Sequence, residues 1–172
     1  MSRWVLLLCG LLLKSCTNIP EGVTPVEPFD AQRYMGVWYE IARTDNRFER
    51  GLSRVWARYT LEEGGRIRVE NHGFSTKENR WRVARGKAYF VSRPDVGYLK
   101  VSFFGPFYGA YIVFWLDKEY RYAFVTSYDK SYLWFLSRTP SVPQSMIDTF
   151  TAEARRLGFD TEKIIFCPQN VS

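Results

Sequence analysis

Histidine is almost missing from this chain of 172 residues: His72 is the only one. It sits in a strand-like stretch with no serine or cysteine partner in sequence, so a nucleophile–base pair is hard to assemble. Cysteine is nearly as scarce. Cys9, Cys16 and Cys167 provide neither a disulfide framework nor metal-ligand spacing. No metal and no cofactor is expected. Glu40 and Asp45 are carboxylates without an obligatory partner, and Gly64-Gly65 is too short to cradle a phosphate. No Lys/Arg run is dense enough for nucleic acid, although the formal charge is +6. No apolar run reaches the roughly 18 residues of a membrane-spanning helix. Together these absences argue against an enzyme.

The longest apolar run, Trp4 to Leu13, follows the basic Met1-Ser2-Arg3. As a helix it would span about 15 Å, half of a hydrocarbon core of about 30 Å, so a secretory signal is the better reading. Leu13-Lys14-Ser15-Cys16 resembles the bacterial lipoprotein signal, in which the cysteine is acylated and becomes the first residue. Lys14 departs from that pattern, which has a small or apolar residue there; ordinary secretory cleavage with Cys16 a plain thiol is the alternative. The expected division is signal peptide 1–15, acylated N-terminus and tether 16–28, and one domain 29–172. Loss of Arg3 and Lys14 takes the charge from +6 to +4. Three prolines and a glycine between Thr17 and Pro28 predict a spacer without regular structure. If Cys16 is not acylated, a Cys16–Cys167 bridge becomes possible.

Aromatic residues make up 17% of the chain, and short alternating runs are punctuated by turn signals every 8–15 residues. The predicted strands are 37–45, 53–62, 66–75, 80–91, 98–104, 110–117, 120–128 and 132–138. Then the period changes. Met146, Ile147, Phe150, Ala154 and Leu157 recur at helical spacing between Pro143 and Gly158. A last short strand is expected at 163–167. Eight sequential strands predict an all-β fold, an antiparallel up-and-down barrel whose closure removes free edges, with the helix packed outside.

Gly36-Val37-Trp38-Tyr39-Glu40 at the start of the first strand resembles the G-x-W signature of the lipocalins. Arg138, at the end of the last strand, matches the family arginine that packs over that tryptophan. Asp117 with Thr126-Ser127-Tyr128 is a looser match to the middle signature. The stretches 41–43, 47–52, 86–90, 99–107 and 132–134 are similar to the bacterial lipocalins, outer-membrane lipoproteins close to apolipoprotein D. The resemblance implies a lysophospholipid or fatty acid ligand, held for storage or transport in envelope maintenance. It also implies a palmitate-type acyl anchor at Cys16 and attachment to the outer membrane facing the periplasm, with Thr17 fitting the sorting pattern. Gly36, Trp38 and Arg138 are expected to brace the barrel floor.

Period-2 alternation places the candidate ligand-binding residues on the inner faces. They are Val55, Ala57, Tyr59, Val69, Asn71, Gly86, Ala88, Phe90, Val101, Phe103, Tyr111, Val113 and Trp134. Leu61, Ile67, Ala84, Leu99, Trp115 and Leu136 share those faces. Ala57, Gly86 and Ala88 are expected to leave volume, and an apolar cavity suits an acyl chain. Arg43, Arg47 and Arg50 are the candidates at the mouth for a headgroup phosphate, and also read as solvated loop residues. Phe103 to Tyr108 reads as core plus a tight turn; an exposed patch that meets a membrane or a second copy, giving a homodimer, is the other reading. The alternative to a lipid carrier is a tethered interaction module with a filled barrel.

Overall fold

The computed structural model describes residues 16–169; the signal segment expected at 1–15 lies outside them. Nine strands make one antiparallel sheet: β1 (Gly36–Thr44), β2 (Leu52–Leu61), β3 (Ile67–Ser75), β4 (Arg80–Phe90), β5 (Tyr98–Phe104), β6 (Phe107–Leu116), β7 (Tyr122–Thr126), β8 (Leu133–Ser137) and β9 (Ile164–Phe166). A one-turn helix α1 (Ala31–Tyr34) precedes β1, and α2 (Gln144–Arg156) lies between β8 and β9. Each of β2 to β7 pairs with the next, β8 pairs with β1, and β1 returns to β2, so eight strands close into an up-and-down barrel. The connections after β1, β3, β5 and β7 therefore gather at one end. Those after β2, β4 and β6, together with α1, gather at the other.

Two apolar clusters divide the core. The inner one holds Trp38, Ala57, Tyr59, Ile67, Val69, Ala88, Leu99, Val113, Val125 and Leu136. The outer one joins the wall to α2 through Ile112, Phe124, Phe135, Phe150, Ala154 and Leu157. The Phe150 ring lies 5.0 Å from that of Phe124 and 5.1 Å from that of Phe135, so the helical stripe docks on the outward positions of β7 and β8. Gly158 ends α2 at φ +77°. Its N–H donates to Arg155 O at 3.0 Å, and the Phe159 N–H donates to Ala154 O at 2.9 Å, the paired closure that a left-handed residue permits.

Four expectations change. β6 begins at Phe107 rather than Ala110, because Phe104 pairs directly with Phe107 across Gly105-Pro106. The hairpin tip is therefore not core: Phe104 and Phe107 are 76% and 77% exposed. β7 is shorter than expected, since the Asp117 carboxylate accepts from the Arg121 and Tyr122 N–H groups and holds 117–121 as a turn. Trp115 faces outward. The register between β6 and β7 slips between Val113 and Trp115, so Phe114 and Trp115 both join the outer cluster and Trp115 stacks on Phe124 at 4.4 Å. Finally, the segment read as a spacer packs along the barrel. Val23 is buried, the Val26 N–H donates to Val113 O at 2.8 Å, and Cys16 O accepts from the Ala110 N–H at 2.8 Å.

β9 has a particular position. β1 pairs with β2 only over 36–39, while its second half, Ala42 to Thr44, pairs with β9. The C-terminal segment continues into the gap between the diverging strands. The Cys167 N–H donates to Ile41 O at 2.9 Å, and the Arg54 N–H donates to Pro168 O at 3.1 Å. Gln169 Nε2 bridges the Glu40 and Val55 carbonyls at 2.7 and 2.8 Å.

Candidate functional site: a barrel with a floor, a bay and a polar latch

The floor is built from the signature residues and α1. Asp30 caps α1 by accepting from the Arg33 N–H at 3.1 Å, which turns Tyr34 into the barrel. Trp38 is fully buried and donates its indole N–H to Tyr34 O at 2.8 Å. Arg138 closes the outside: its guanidinium carbon lies 3.9 Å above the Trp38 ring. Its three nitrogens donate to the carbonyls of Tyr120, Val37 and Arg33 at 3.2, 2.9 and 2.7 Å. Gly36, at φ +98°, leaves room for this, because a Cβ there would sit 3.3 Å from Arg138 Nη1. Arg138→Ala is expected to lower stability by about 2–4 kcal/mol in urea unfolding, through loss of the cation–π contact and charged hydrogen bonds. Lysine at this position should restore little, since one ammonium cannot reproduce the planar fork.

Above the floor three phenols meet. The Tyr34 and Tyr111 hydroxyls are 2.8 Å apart, and Tyr111 donates to the Tyr59 hydroxyl at 3.1 Å. Burial pushes all three up, Tyr59 to about 12, so they remain neutral and terminate the interior with a hydrogen-bonded triad. Tyr34 is the member that sequence pattern missed, because it projects from a helix turn and belongs to no strand face.

Higher up the wall the side chains shrink. Cross-strand register aligns Ala57 with Asn71 and Asn71 with Ala84. Ala84 shares an inner face with Ala88, which is buried in the inner cluster, yet Ala84 is exposed. Solvent therefore reaches β4 at this level, while Ala57 across the row is buried. β4 pairs with β5 only over Lys87 to Phe90, which leaves its mouth-ward half free on that side.

Of the predicted lining, Ala57, Tyr59, Val69, Ala88 and Val113 lie in the inner cluster, with Phe90, Val101, Phe103, Tyr111 and Trp134 packed against it. Asn71 follows by register. Gly86 does not leave free volume: a Cβ there would meet Ser102 O at 2.6 Å and the Phe103 ring at 2.8 Å, so Phe103 fills its place. Val55 is buried but stands apart from the inner cluster. The strand irregularity between Ser53 and Trp56, with Arg54 at φ +50°, breaks the alternation that pointed Val55 inward. His72 stacks on Trp56 with ring centroids 3.8 Å apart, a packing role. A surface depression of about 360 Å³ beside Arg66, Arg68 and Arg85 lies on the outer wall, where Glu62 and Glu70 pair those arginines.

The mouth carries a buried polar cluster that pattern did not foresee. Glu40 and Arg43 are both 3% exposed; Glu40 follows Trp38 inward by alternation opposite Leu136, and the register shift just beyond it turns Arg43 to the same side, opposite Trp134. Arg43 Nη1 donates to Glu40 Oε1 at 2.5 Å and to Cys167 Sγ at 2.7 Å. Its Nη2 donates to the Glu49 and Leu52 carbonyls at 3.0 and 3.3 Å. Glu49, from the β1–β2 loop, accepts from the Trp134 indole at 2.9 Å and from Asn46 at 2.6 Å. Burial first, then Glu49, hold the Glu40 carboxyl well above the usual range against the opposing Arg43. The cluster sets two carboxyls against one guanidinium, an arrangement that burial makes costly to break. Arg43 is therefore a clasp between loop and wall with no free fork for a phosphate. Arg50 is tied to Asp45 at 2.8 Å. Arg47 lies over the Phe48 ring at 4.9 Å. Cys16 and Cys167 are both free thiols, lying against β6 and β1 respectively.

Comparison with known proteins agrees with this geometry. Residues 29–169 match the family model described as a lipocalin-like domain. The chain is 51% identical over 165 residues to the outer membrane lipoprotein Blc of Vibrio cholerae, covering 95% of this chain and 96% of that protein. It is 51% identical over 162 residues to the Escherichia coli K12 protein of the same name, covering 93% and 92%. Mouse apolipoprotein D is 31% identical over 146 residues, covering 80% and 76%. Among solved structures, insecticyanin from the tobacco hornworm superposes with a TM-score of 0.69 at 20% identity, covering 90% of this chain and 87% of that one. Lobster apocrustacyanin A1 does so at 0.66 and 20%, covering 90% and 94%. None of these relatives carries the name of an enzyme, and the two outer membrane lipoproteins are about half identical to this chain. The barrel, its Trp38–Arg138 floor and this similarity place the chain in the lipocalin family, as a ligand-binding protein beside the bacterial outer-membrane lipoproteins.

Proposed function

We propose that this lipocalin holds one single-chain lipid, a lysophospholipid or a fatty acid, in the bay above the tyrosine triad. The protein would be anchored to the outer membrane by an acylated Cys16 and would face the periplasm, where it stores or carries lipid for envelope maintenance. The observation that carries this reading is the row Ala57–Asn71–Ala84, in register on three neighbouring strands above a closed floor and running from the buried Ala57 to the solvent-exposed Ala84. Each buried methylene contributes about 0.8 kcal/mol, so an acyl chain is the ligand type that gains most from such a bay. Arg47 is the arginine at the mouth best placed to meet a headgroup. Arg43 and Arg50 are committed to neighbouring carboxylates.

The test is a titration of delipidated protein with a lysophospholipid and with the matched fatty acid, read by tryptophan fluorescence. Trp134 lines the interior beside the Glu49 latch and supplies a local reporter. Saturation at one lipid per barrel is expected. Folded protein that binds neither lipid sinks the proposal and favours a tethered interaction module.

A further inference from the structure

The open end has the composition of a surface that rests on a bilayer. Phe104 and Phe107 form the β5–β6 tip, and Phe48, in the β1–β2 loop at the same end, is 63% exposed. Trp81 and Val83, at the mouth-ward end of β4, are exposed as well. Among the described residues, the four other large exposed apolar side chains are Ile19 in the tether, Val91 just after β4, and Ile165 and Phe166 in β9; none of these four is in a mouth loop. Around the aromatics the charge is basic. In the β3–β4 turn and the start of β4, Lys77, Arg80 and Arg82 outnumber Glu78, which pairs with both arginines.

The path of the N-terminal segment decides which way this end points. From α1 the chain, traced backward, passes Val26 against Val113 and arrives at Cys16 against Ala110. That is three residues from Phe107, about 10 Å along the strand. Cys16 is exposed, and in sequence it joins the apolar run Trp4–Leu13. The attachment point thus lies beside the open end, held there by backbone hydrogen bonds.

We infer that the barrel docks mouth-down on an anionic phospholipid bilayer, with Phe104, Phe107 and Phe48 inserted at the interface and Lys77, Arg80, Arg82 and Arg47 over the headgroups. Aromatic residues favour that interfacial zone, and basic side chains near it are attracted to anionic lipids. The docked pose sets the unpaired half of β4 and the open bay against the lipid surface, so a lipid moves between membrane and barrel without crossing bulk water. This inference rests on the acyl anchor proposed above.

The experiment uses the mature, acylated protein in vesicles of phosphatidylethanolamine and phosphatidylglycerol. An environment-sensitive fluorophore is attached to Phe107→Cys, to Phe48→Cys, or to Glu119→Cys at the opposite end, and chain-brominated lipid serves as quencher. Emission from positions 107 and 48 is expected to shift to the blue and fall at least twofold, with position 119 unchanged. Adding Phe104→Ser to the Phe48→Cys protein should weaken quenching at 48. Water-like emission at all three positions overturns the inference. So does quenching at 119, or a blue shift at 107 without quenching, which would mean a second copy covers this face. Mass spectrometry of Cys16 separates failure of the anchor from failure of the pose. The lipid titration, done without vesicles, separates both from failure of the bay.

Discussion

Ala84→Trp is expected to weaken binding of a single-chain lipid by about 50- to 200-fold while leaving the fold intact. The position combines two properties rarely found together. Its register with Asn71 and Ala57 sets it on the inner face, and its exposure shows that nothing fills the space before it. An indole there displaces the contacts of roughly three to four methylenes, about 2.4–3.2 kcal/mol, which gives the stated range. Urea unfolding should move by less than about 1 kcal/mol, because no packed neighbour is disturbed. Ala57→Trp makes an instructive contrast. Ala57 belongs to the packed inner cluster, so the same substitution should also cost about 1–3 kcal/mol of stability through overpacking. Undiminished lipid affinity in Ala84→Trp would place the ligand elsewhere.

The second large effect concerns the latch. Arg43→Ala removes the guanidinium that ties Glu40, Cys167 and two loop carbonyls together, leaving the buried Glu40 carboxyl without its hydrogen-bond donor and the cluster without its cation. Stability in urea should fall by about 3–5 kcal/mol. A loss of under about 1 kcal/mol would show that the cluster opens freely to solvent. The same site sets a pH dependence. Glu40 is held above the usual range when folded, whereas an unfolded glutamate titrates near 4.3. Between those two values the folded state binds more protons, so this group's contribution to stability is greatest at low pH and declines as pH rises through the folded value. Wild-type stability measured from pH 5 to 9 should therefore carry a downward component that Glu40→Gln removes. An unchanged slope in Glu40→Gln would assign the titration to another group.

The fold could be read from the chain because it depends on local, periodic features, and the floor because three residues resemble the lipocalin signatures. Alternation set most inward positions, the turn residues divided the strands, and the helical stripe around Phe150 identified the one element that had to pack outside. Gly36, Trp38 and Arg138 stood out by their resemblance to the lipocalin signatures at the first strand's entry and the last strand's exit, where Arg138 does lie over Trp38. Errors arose where a strand lost its period. One register slip turned Trp115 outward, another removed Val55 from the inner cluster, and a third brought Arg43 to the same side as Glu40. A bulge changes the parity of everything beyond it, and it is selected by packing across strands, which no single strand's sequence records.

The sequence by itself determined the barrel, its direction of winding through eight strands, the helix on its outer wall and the apolar character of its interior, because hydrophobic period and turn chemistry act over a few residues. Tertiary structure alone decided what occupies each space. Phe103 takes the room left by Gly86, Tyr34 completes a hydroxyl triad from outside the sheet, and Cys167 reaches the Glu40–Arg43 pair across more than 120 residues. It also decided that the prolines before residue 29 would lay their segment along β6, setting Cys16 beside the mouth. These arrangements depend on which strands diverge and which surfaces meet, and such contacts exist only once the barrel has closed.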